Sequence, residues 1–463
     1  MNEFPVQSLA EIISADTNNK MTQDSFIGVS TDTRTTKPGE CFFAIKGDCL
    51  DGADYLDDAL SEGAICAIVN EDVDTSSFPA DKILKVKDSL EALGDFAHWY
   101  RNENGFNVIA ITGSVGKTTT RNIIHNILSK KFRTYQAPKN YNTLTGLPLS
   151  ILDAAPEDDI LILELGTNRP GEIGALSKIA SPDIALITTV QPSHLEGFGS
   201  LDNITEEKVS IVSDLKDDAP LIINADCPVL LAKCQEKGLK FYTFGKSDNA
   251  DFYAEDIKLG ETFSTFEINK TALYLPIPGL GAVENTIAAW AVCSQLAITI
   301  EEFADALKTI TTVPMRTQIE KAGNLTIIND CYNANPASMK NALDILCNFK
   351  RADNQRLIFI CGDMAELGGQ SEKLHTELGE VIADAGLDLM VAVGPLAKIA
   401  AEKAAALSNQ NMQTKYFPDS AAACNNLTNY INPDDIILIK GSRVAKLELV
   451  AKQIKSVFET QKR

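Results

Sequence analysis

Ile109-Ala-Ile-Thr-Gly113-Ser-Val-Gly116-Lys117-Thr118-Thr119-Thr120 sets an apolar run ahead of two glycines, a lysine and three hydroxyls, and the amphipathic run TTRNIIHNILSKK (119–131) overlaps its end. A strand that enters a glycine turn and leaves as a helix is the setting a phosphate loop requires. Gly113 and Gly116 let backbone amides curve inward, and the helix presents its first N–H groups and its dipole to an anion. Lys117 supplies a cation for the outer phosphates, and Thr118 a hydroxyl for Mg²⁺. Ser114, Val115 and Thr119 complete the stretch expected to cradle ATP. The general pattern carries a further glycine five residues before Gly116, where this chain has Ile111, so it is met in part. A plain turn with a helix cap would use the same glycines and hydroxyls.

Outward from the loop the same alternation continues. The apolar runs ILILELG (160–166), IALITTV (184–190) and PLIINAD (220–226) are separated by helical patterns, which predicts a doubly wound, mostly parallel sheet. This central P-loop domain is expected to span residues 104–313. Residues 1–103 mix short β-rich runs (41–45 and 67–69) with a helical pattern over 88–100, and read as a small N-terminal α/β domain. A weaker β-rich stretch over 252–275 leads to a helix from about residue 283 to 296. The chain turns near 312–315 into a third unit, 314–463. There LTIIND, RLIFICGD, LMVAVG and DIILIKG alternate with helices, as in a second, Rossmann-like domain. The fold class expected is therefore α/β in three domains.

The 463 residues exceed what one core usually serves, and 44% hydrophobic with 23% charged residues suits a globular chain. A net charge of −21, from 42 basic against 63 acidic residues, opposes nonspecific binding to nucleic acid or an anionic membrane. Ten cysteines without a CxxC pair suggest neither a zinc ribbon nor a disulfide framework. The start MNEFPVQSLAEII lacks the basic and apolar pattern of a leader, and no apolar stretch approaches about 18 residues. A cytoplasmic protein without membrane insertion is expected.

Glu164 ends the run ILILELG, so its carboxylate is expected at the carboxyl edge of the sheet, where open α/β sheets bind ligands. A contact to Mg²⁺ follows as a candidate role. His194 opens HLEGFGS, and Lys208 stands fourteen residues later in EEKVSI. Read alone, the histidine suits a structural imidazole and the lysine a surface cation.

The short loop TGSVGKT (112–118) resembles that of the Mur ligase family and its folylpolyglutamate relatives, and the resemblance extends along the chain. In that family a His and a carbamoylated Lys help hold a second Mg²⁺, which implies His194 and Lys208 here beside Thr118 and Glu164. The resemblance is to the branch that adds D-alanyl-D-alanine. Ser30-Thr31-Asp32-Thr33-Arg34, with Lys46-Gly47 and Asp51-Gly52, looks like its uridine-nucleotide-binding domain. Lys139-Asn-Tyr-Asn142-Thr143-Leu-Thr-Gly146 is similar to its loop beside the nucleotide. Glu164-Leu-Gly166-Thr-Asn168, Asp330-Cys-Tyr332-Asn333-Ala-Asn335-Pro-Ala-Ser338-Met339, Gly362-Asp363-Met364-Ala-Glu366-Leu367-Gly368 and Lys440-Gly441-Ser442-Arg443 match this branch. By the resemblance Asn285, Arg316 and Asp330 approach ATP. The motifs around Tyr332, Asn333, Asn335, Ser338 and Glu366 close over the nucleotide and help receive the dipeptide. Asn and Asp near turns also serve simply as caps. The chain departs from the pattern at Val115, Thr143 and Ala53, at Gly281-Ala282 and at Ser210.

The activity so implied is ATP-dependent joining of D-alanyl-D-alanine to a UDP-N-acetylmuramoyl tripeptide through an acyl phosphate, by a monomer. Three rival readings remain: a ligase adding diaminopimelate or Lys to the muramoyl dipeptide, a folate-glutamate ligase, and a P-loop switch or motor ATPase. The first two share the fold class. The third accounts for the phosphate loop but not for the His194 and Lys208 pair or the later motifs.

Overall fold

The computed structural model describes residues 1–16, 24–138, 140–352, 355–408 and 412–460, with the side chain of Thr460 left aside. The chain forms two compact units. One comprises Met1–Thr112, Leu128–Leu186 and Glu207–Leu221, and the other Gly113–Ile127, Ile187–Glu206 and Ile222–Arg463.

In the first unit four parallel strands lie side by side in chain order: Gly28–Ser30, Glu40–Phe43, Cys66–Asn70 and Ile83–Val86. Phe42, Leu56, Ala59, Ala67 and Val69 form the core of this sheet. The following helix, Ser89–Glu103, starts where the Asp88 carboxylate accepts the Leu90 and Glu91 N–H groups. Such a cap contributes about 1 kcal/mol. The strands Asn107–Thr112 and Ile160–Glu164 pair in parallel, Ile111 opposite Glu164, and Thr134–Gln136 pairs with the far side of the second. Every residue of Ile160–Glu164 is buried. Helices on both faces demand such an apolar run, and this is why the sequence pattern was continuous rather than alternating.

The second unit carries the helix that leaves the glycine loop, Lys117–Leu128. It also has the parallel strands Leu221–Asn224, Tyr242–Gly245 and Phe252–Tyr253, and an antiparallel trio, Glu255–Leu259, Ser264–Ile268 and Thr271–Leu275. The helix Leu280–Ser294 is buried on nearly all sides. Beyond it lies a six-stranded sheet in the order Gln318–Ala322, Leu325–Asn329, Ile436–Lys440, Leu357–Gly362, Leu389–Val393 and Gln413–Phe417. All its pairs are parallel except the first, an antiparallel hairpin. The central strands are fully buried, and Ile327, Ile358, Ile360, Val391, Ile437 and Ile439 sit in one core cluster. Full burial of each such side chain contributes about 1.5–3 kcal/mol. The expected second doubly wound sheet is present, with the hairpin strand at one edge and Gln413–Phe417 at the other, neither marked by an unbroken apolar run.

Candidate active site

The glycine loop is shaped by contacts that leave no room for side chains. Gly113 and Gly116 have φ of +141° and +91°. A β-carbon at Gly113 would stand 2.0 Å from Thr188 Oγ1, and one at Gly116 would stand 2.3 Å from Asn285 Oδ1. Asn285, on the buried helix, thus stands directly against the loop. The loop is tied to the segment after residue 187. Ser114 N–H donates to Thr189 O at 2.8 Å, and the Ser114 hydroxyl bonds with Gln191 O, Gln191 N–H and the Ser193 hydroxyl. Thr188 Oγ1 donates to Val115 O at 2.6 Å. Lys117 folds back so that its ammonium donates to Gly113 O at 2.5 Å. Thr118 and Thr119 lie in the first turn of the helix.

His194 follows this tether with φ +55°, at the start of the short helix Leu195–Phe198. Its Nδ1 meets Glu366 Oε2, and Glu366 is itself left-handed, at φ +64°. The hydrogen bond from His194 holds the Glu366 carboxyl below its ordinary range. Two non-glycine residues in that sparsely populated region, facing each other, are the kind of local strain that functional sites retain. Ser114, Ser193, His194, Asn333, Asn335 and Glu366 line one recess. Five of these six were expected from sequence, and Ser193 was not.

The loops from the six-stranded sheet are fixed by buried charge. Lys440 Nζ donates to Asp330 Oδ2 at 2.6 Å and to Asn333 O at 3.1 Å, while Asp330 Oδ1 accepts Thr317 N–H at 2.9 Å. Arg316 sits between left-handed Met315 and Thr317, its guanidinium 4.3 Å from the Tyr332 ring centroid. Arg316 Nε is buried with no hydrogen-bond partner among the described residues. Asn335 and Ser338 form a reciprocal capping box on the helix Pro336–Cys347. Their side chains therefore have a structural task, and Asn335 still borders the recess. Gly281, where the sequence departs from the family pattern, donates its N–H to Asn341 Oδ1 at 3.3 Å. His375 is fully buried, accepting Met364 N–H at Nε2 and bonded through Nδ1 to Ser371 O.

The other expected residues lie in the first unit. Glu164 and Lys208 are each 2% exposed, one at its strand end and the other on the helix Leu201–Val209. Asn142 O accepts Gly166 N–H, Thr143 Oγ1 accepts Gly146 N–H, and Asn168 N–H is taken by Glu172. Ser30 shares its hydroxyl with Thr36, near Thr31 and Thr33 in the same turn. Asp32 and Arg34 make an exposed bidentate pair, and Lys46 faces Asp51 at 3.7 Å. Lys139 lies outside the described residues. Glu207, which the sequence reading passed over, binds two helix amides and a hydroxyl.

These residues fit the groups the resemblance implies. The glycine cradle excludes any β-carbon, and a buried guanidinium nitrogen without a partner suits an anionic nucleotide. Among the described residues no cluster of three or more His, Cys, Asp or Glu could by itself hold a metal. A Mg²⁺ ion that keeps waters and arrives on phosphate oxygens needs only one or two protein oxygens, and the hydroxyl of Thr118 and the carboxylate of Glu164 are of that type.

A phosphate loop opening a helix, with a histidine and the loops of a second parallel-sheet region beside it, suits an ATP-dependent ligase that forms carbon–nitrogen bonds, and that is the class to which the relatives assign it. Family models match in three stretches: the Mur ligase family catalytic domain over residues 25–101, the Mur ligase middle domain over 111–293, and the Mur ligase glutamate ligase domain over 315–443. The UDP-N-acetylmuramoyl-tripeptide–D-alanyl-D-alanine ligase of Bacillus subtilis is 32% identical, over 97% of this chain and 98% of that protein. The crystal structure of MurF from Acinetobacter baumannii superposes with a TM-score of 0.90 at 28% identity, covering 98% of this chain and 99% of that one. MurF from Thermotoga maritima in complex with ADP gives 0.82 at 29% identity, covering 94% and 98%. This chain belongs to the Mur ligase family.

Proposed function

We infer that this protein joins D-alanyl-D-alanine to a UDP-N-acetylmuramoyl tripeptide, consuming ATP and yielding the UDP-linked pentapeptide of peptidoglycan synthesis. The observation that carries the chemistry is the recess in which phosphate-loop Ser114, His194, Glu366, Asn333 and Asn335 converge. The relatives matched over nearly their whole length carry this activity in their names.

An amine cannot displace water from a carboxylate at neutral pH, so the tripeptide carboxyl must first be activated. Its oxygen attacks the γ-phosphate of ATP, giving an acyl phosphate and ADP. The dipeptide amine then attacks the acyl carbon, and phosphate leaves. Lys117 exchanges Gly113 O for a phosphate oxygen and neutralises charge on the transferring group, because phosphoryl transfer is catalysed mainly by positioning and electrostatics. Arg316 directs its buried Nε to the nucleotide, with Asn285 and Asp330 nearby in role. Thr118, Glu164, His194 and Lys208, the last as a carbamate, would hold Mg²⁺, which supplies further charge neutralisation. The loops bearing Asn333, Asn335 and Glu366, with Tyr332 and Ser338 behind them, receive the dipeptide and keep water from the acyl phosphate. Ser30, Thr31, Asp32, Thr33, Arg34 and Lys46 hold the uridine nucleotide, and Asn142, Thr143 and Asn168 border the peptide. The division of labour follows residues 1–103, 104–313 and 314–463, in a cytoplasmic monomer.

The test is mass spectrometry of the product formed from ATP, Mg²⁺, UDP-tripeptide and D-alanyl-D-alanine. Pentapeptide nucleotide with matching ADP and phosphate is expected. A folded protein that makes none refutes the reading.

A further inference from the structure

We propose that Glu207 is a positioning residue for this ligase, one that fixes the buried Lys208 and the loop after Glu164 in register by clamping both to one helix end. The proposal rests on the functional reading above for the task of Lys208, and on geometry for the clamp.

Glu207 is 6% exposed, yet its carboxylate is fully employed. Oε2 accepts Gly171 N–H at 2.7 Å, while Oε1 accepts Ile173 N–H at 2.7 Å and the Thr167 hydroxyl at 3.2 Å. Gly171 and Ile173 bracket the start of the nine-residue helix Glu172–Ala180, so a buried anion meets the unpaired amides and positive end of a helix. Bonds from an ionised carboxylate to such amides are about twice as strong as neutral ones. Thr167 belongs to the loop that leaves the strand Ile160–Glu164, and Glu172 secures the same loop by accepting Asn168 and Arg169 N–H groups at 2.6 and 3.0 Å. The residue after Glu207 is Lys208, itself 2% exposed. Further along, Ile211 O accepts the Ser177 hydroxyl at 2.6 Å, and Ser177 Oγ accepts Asp214 N–H at 3.3 Å. The segment on both sides of Lys208 is thus docked on the helix that Glu207 caps. A residue whose only task was capping could stand on the helix it caps. This one stands 36 residues from Gly171, on the helix that bears Lys208.

Glu207→Gln keeps the size of the side chain but replaces one acceptor with a donor facing a backbone N–H. In the full-length protein, ligation should fall about 10- to 100-fold with the KM for ATP little changed, as when a group that orients a metal ligand is altered. Mn²⁺ binding in the presence of ADP, read by electron paramagnetic resonance, should weaken by a similar factor. Glu207→Asp, which retains the charge, should recover part of both. Unchanged Mn²⁺ affinity and rate in folded Glu207→Gln overturns the proposal, as does lost rate that returns in full on cooling to where the variant is folded. Should Glu207→Gln fail to fold, Thr167→Val removes one bond of the clamp, together with the bond that the same hydroxyl makes to Arg169 O at 2.8 Å. A smaller weakening of Mn²⁺ binding supports the proposal, and none overturns it. The Mn²⁺ measurement needs neither tripeptide nor dipeptide, so it separates a failed clamp from a failed assignment of substrates.

Discussion

The two walls of the recess are held by different physics. On the phosphate-loop side, Gly113 to Lys117 are secured by backbone shape and by hydroxyls within reach of one strand end, and the loop's only charged group, Lys117, rests on a carbonyl. On the other side, Asp330 to Asn335 are secured by a buried ammonium, and the Met364 to Glu366 turn by a buried imidazole. The difference teaches where charge is spent. On the proposed function Lys117 carries charge meant for a ligand and should be dispensable for folding, whereas Lys440 carries charge that the fold itself consumes.

Three substitutions sharpen or break that contrast. Lys440→Met strands the Asp330 carboxylate beside Asn333 O and should cost about 3–5 kcal/mol in urea unfolding. A stable but inactive variant would instead give Lys440 a ligand-facing role. Lys117→Ala should lower the ligation rate about 10²–10³-fold, or about 3–4 kcal/mol, by analogy with removal of one stabilising donor. Its melting temperature should match the parent, and a melting point that falls along with the rate would put Lys117 in the same class as Lys440. The smallest effect is on pH. Burial holds the His375 imidazole below its ordinary value of 6.5, because taking the charged ring out of water costs more than the Ser371 carbonyl and the Asp363 carboxylate return. The folded pKa is depressed, so its contribution is complete above pH 6.5 and declines as pH falls from 6.5 towards the folded value. Unfolding free energies between pH 7.5 and 5 should lose this slope in His375→Gln, whose amide can still accept from Met364; an unchanged slope would mean that another group titrates there.

The same contrast explains what the sequence revealed. The glycine loop was legible because its determinants are consecutive: an apolar strand, two residues needing positive φ, and a lysine at a helix start. The buried parallel strands were legible because a strand covered on both faces needs an unbroken apolar run. The edge strands Gln318–Ala322 and Gln413–Phe417, with mostly exposed or half-exposed residues, carry no such mark. Lys440 and Asp330 are 110 residues apart and Glu207 and Ile173 are 34 apart, so neither network leaves a local pattern. Asn335 and Ser338 show the opposite ambiguity, since a capping box and a substrate contact call for the same residues.

One property of the glycine loop reaches beyond its chemistry. Ser114 spends both its N–H and its hydroxyl on residues 189–193, and Val115 spends its carbonyl on Thr188. On the proposed function, what the loop offers a nucleotide is peptide dipole and the Lys117 ammonium, released from Gly113 O, which would answer to a polyphosphate tail and be blind to the base attached to it. Any preference for adenine over guanine would then be set elsewhere in the chain, and altering it would leave 113–117 untouched.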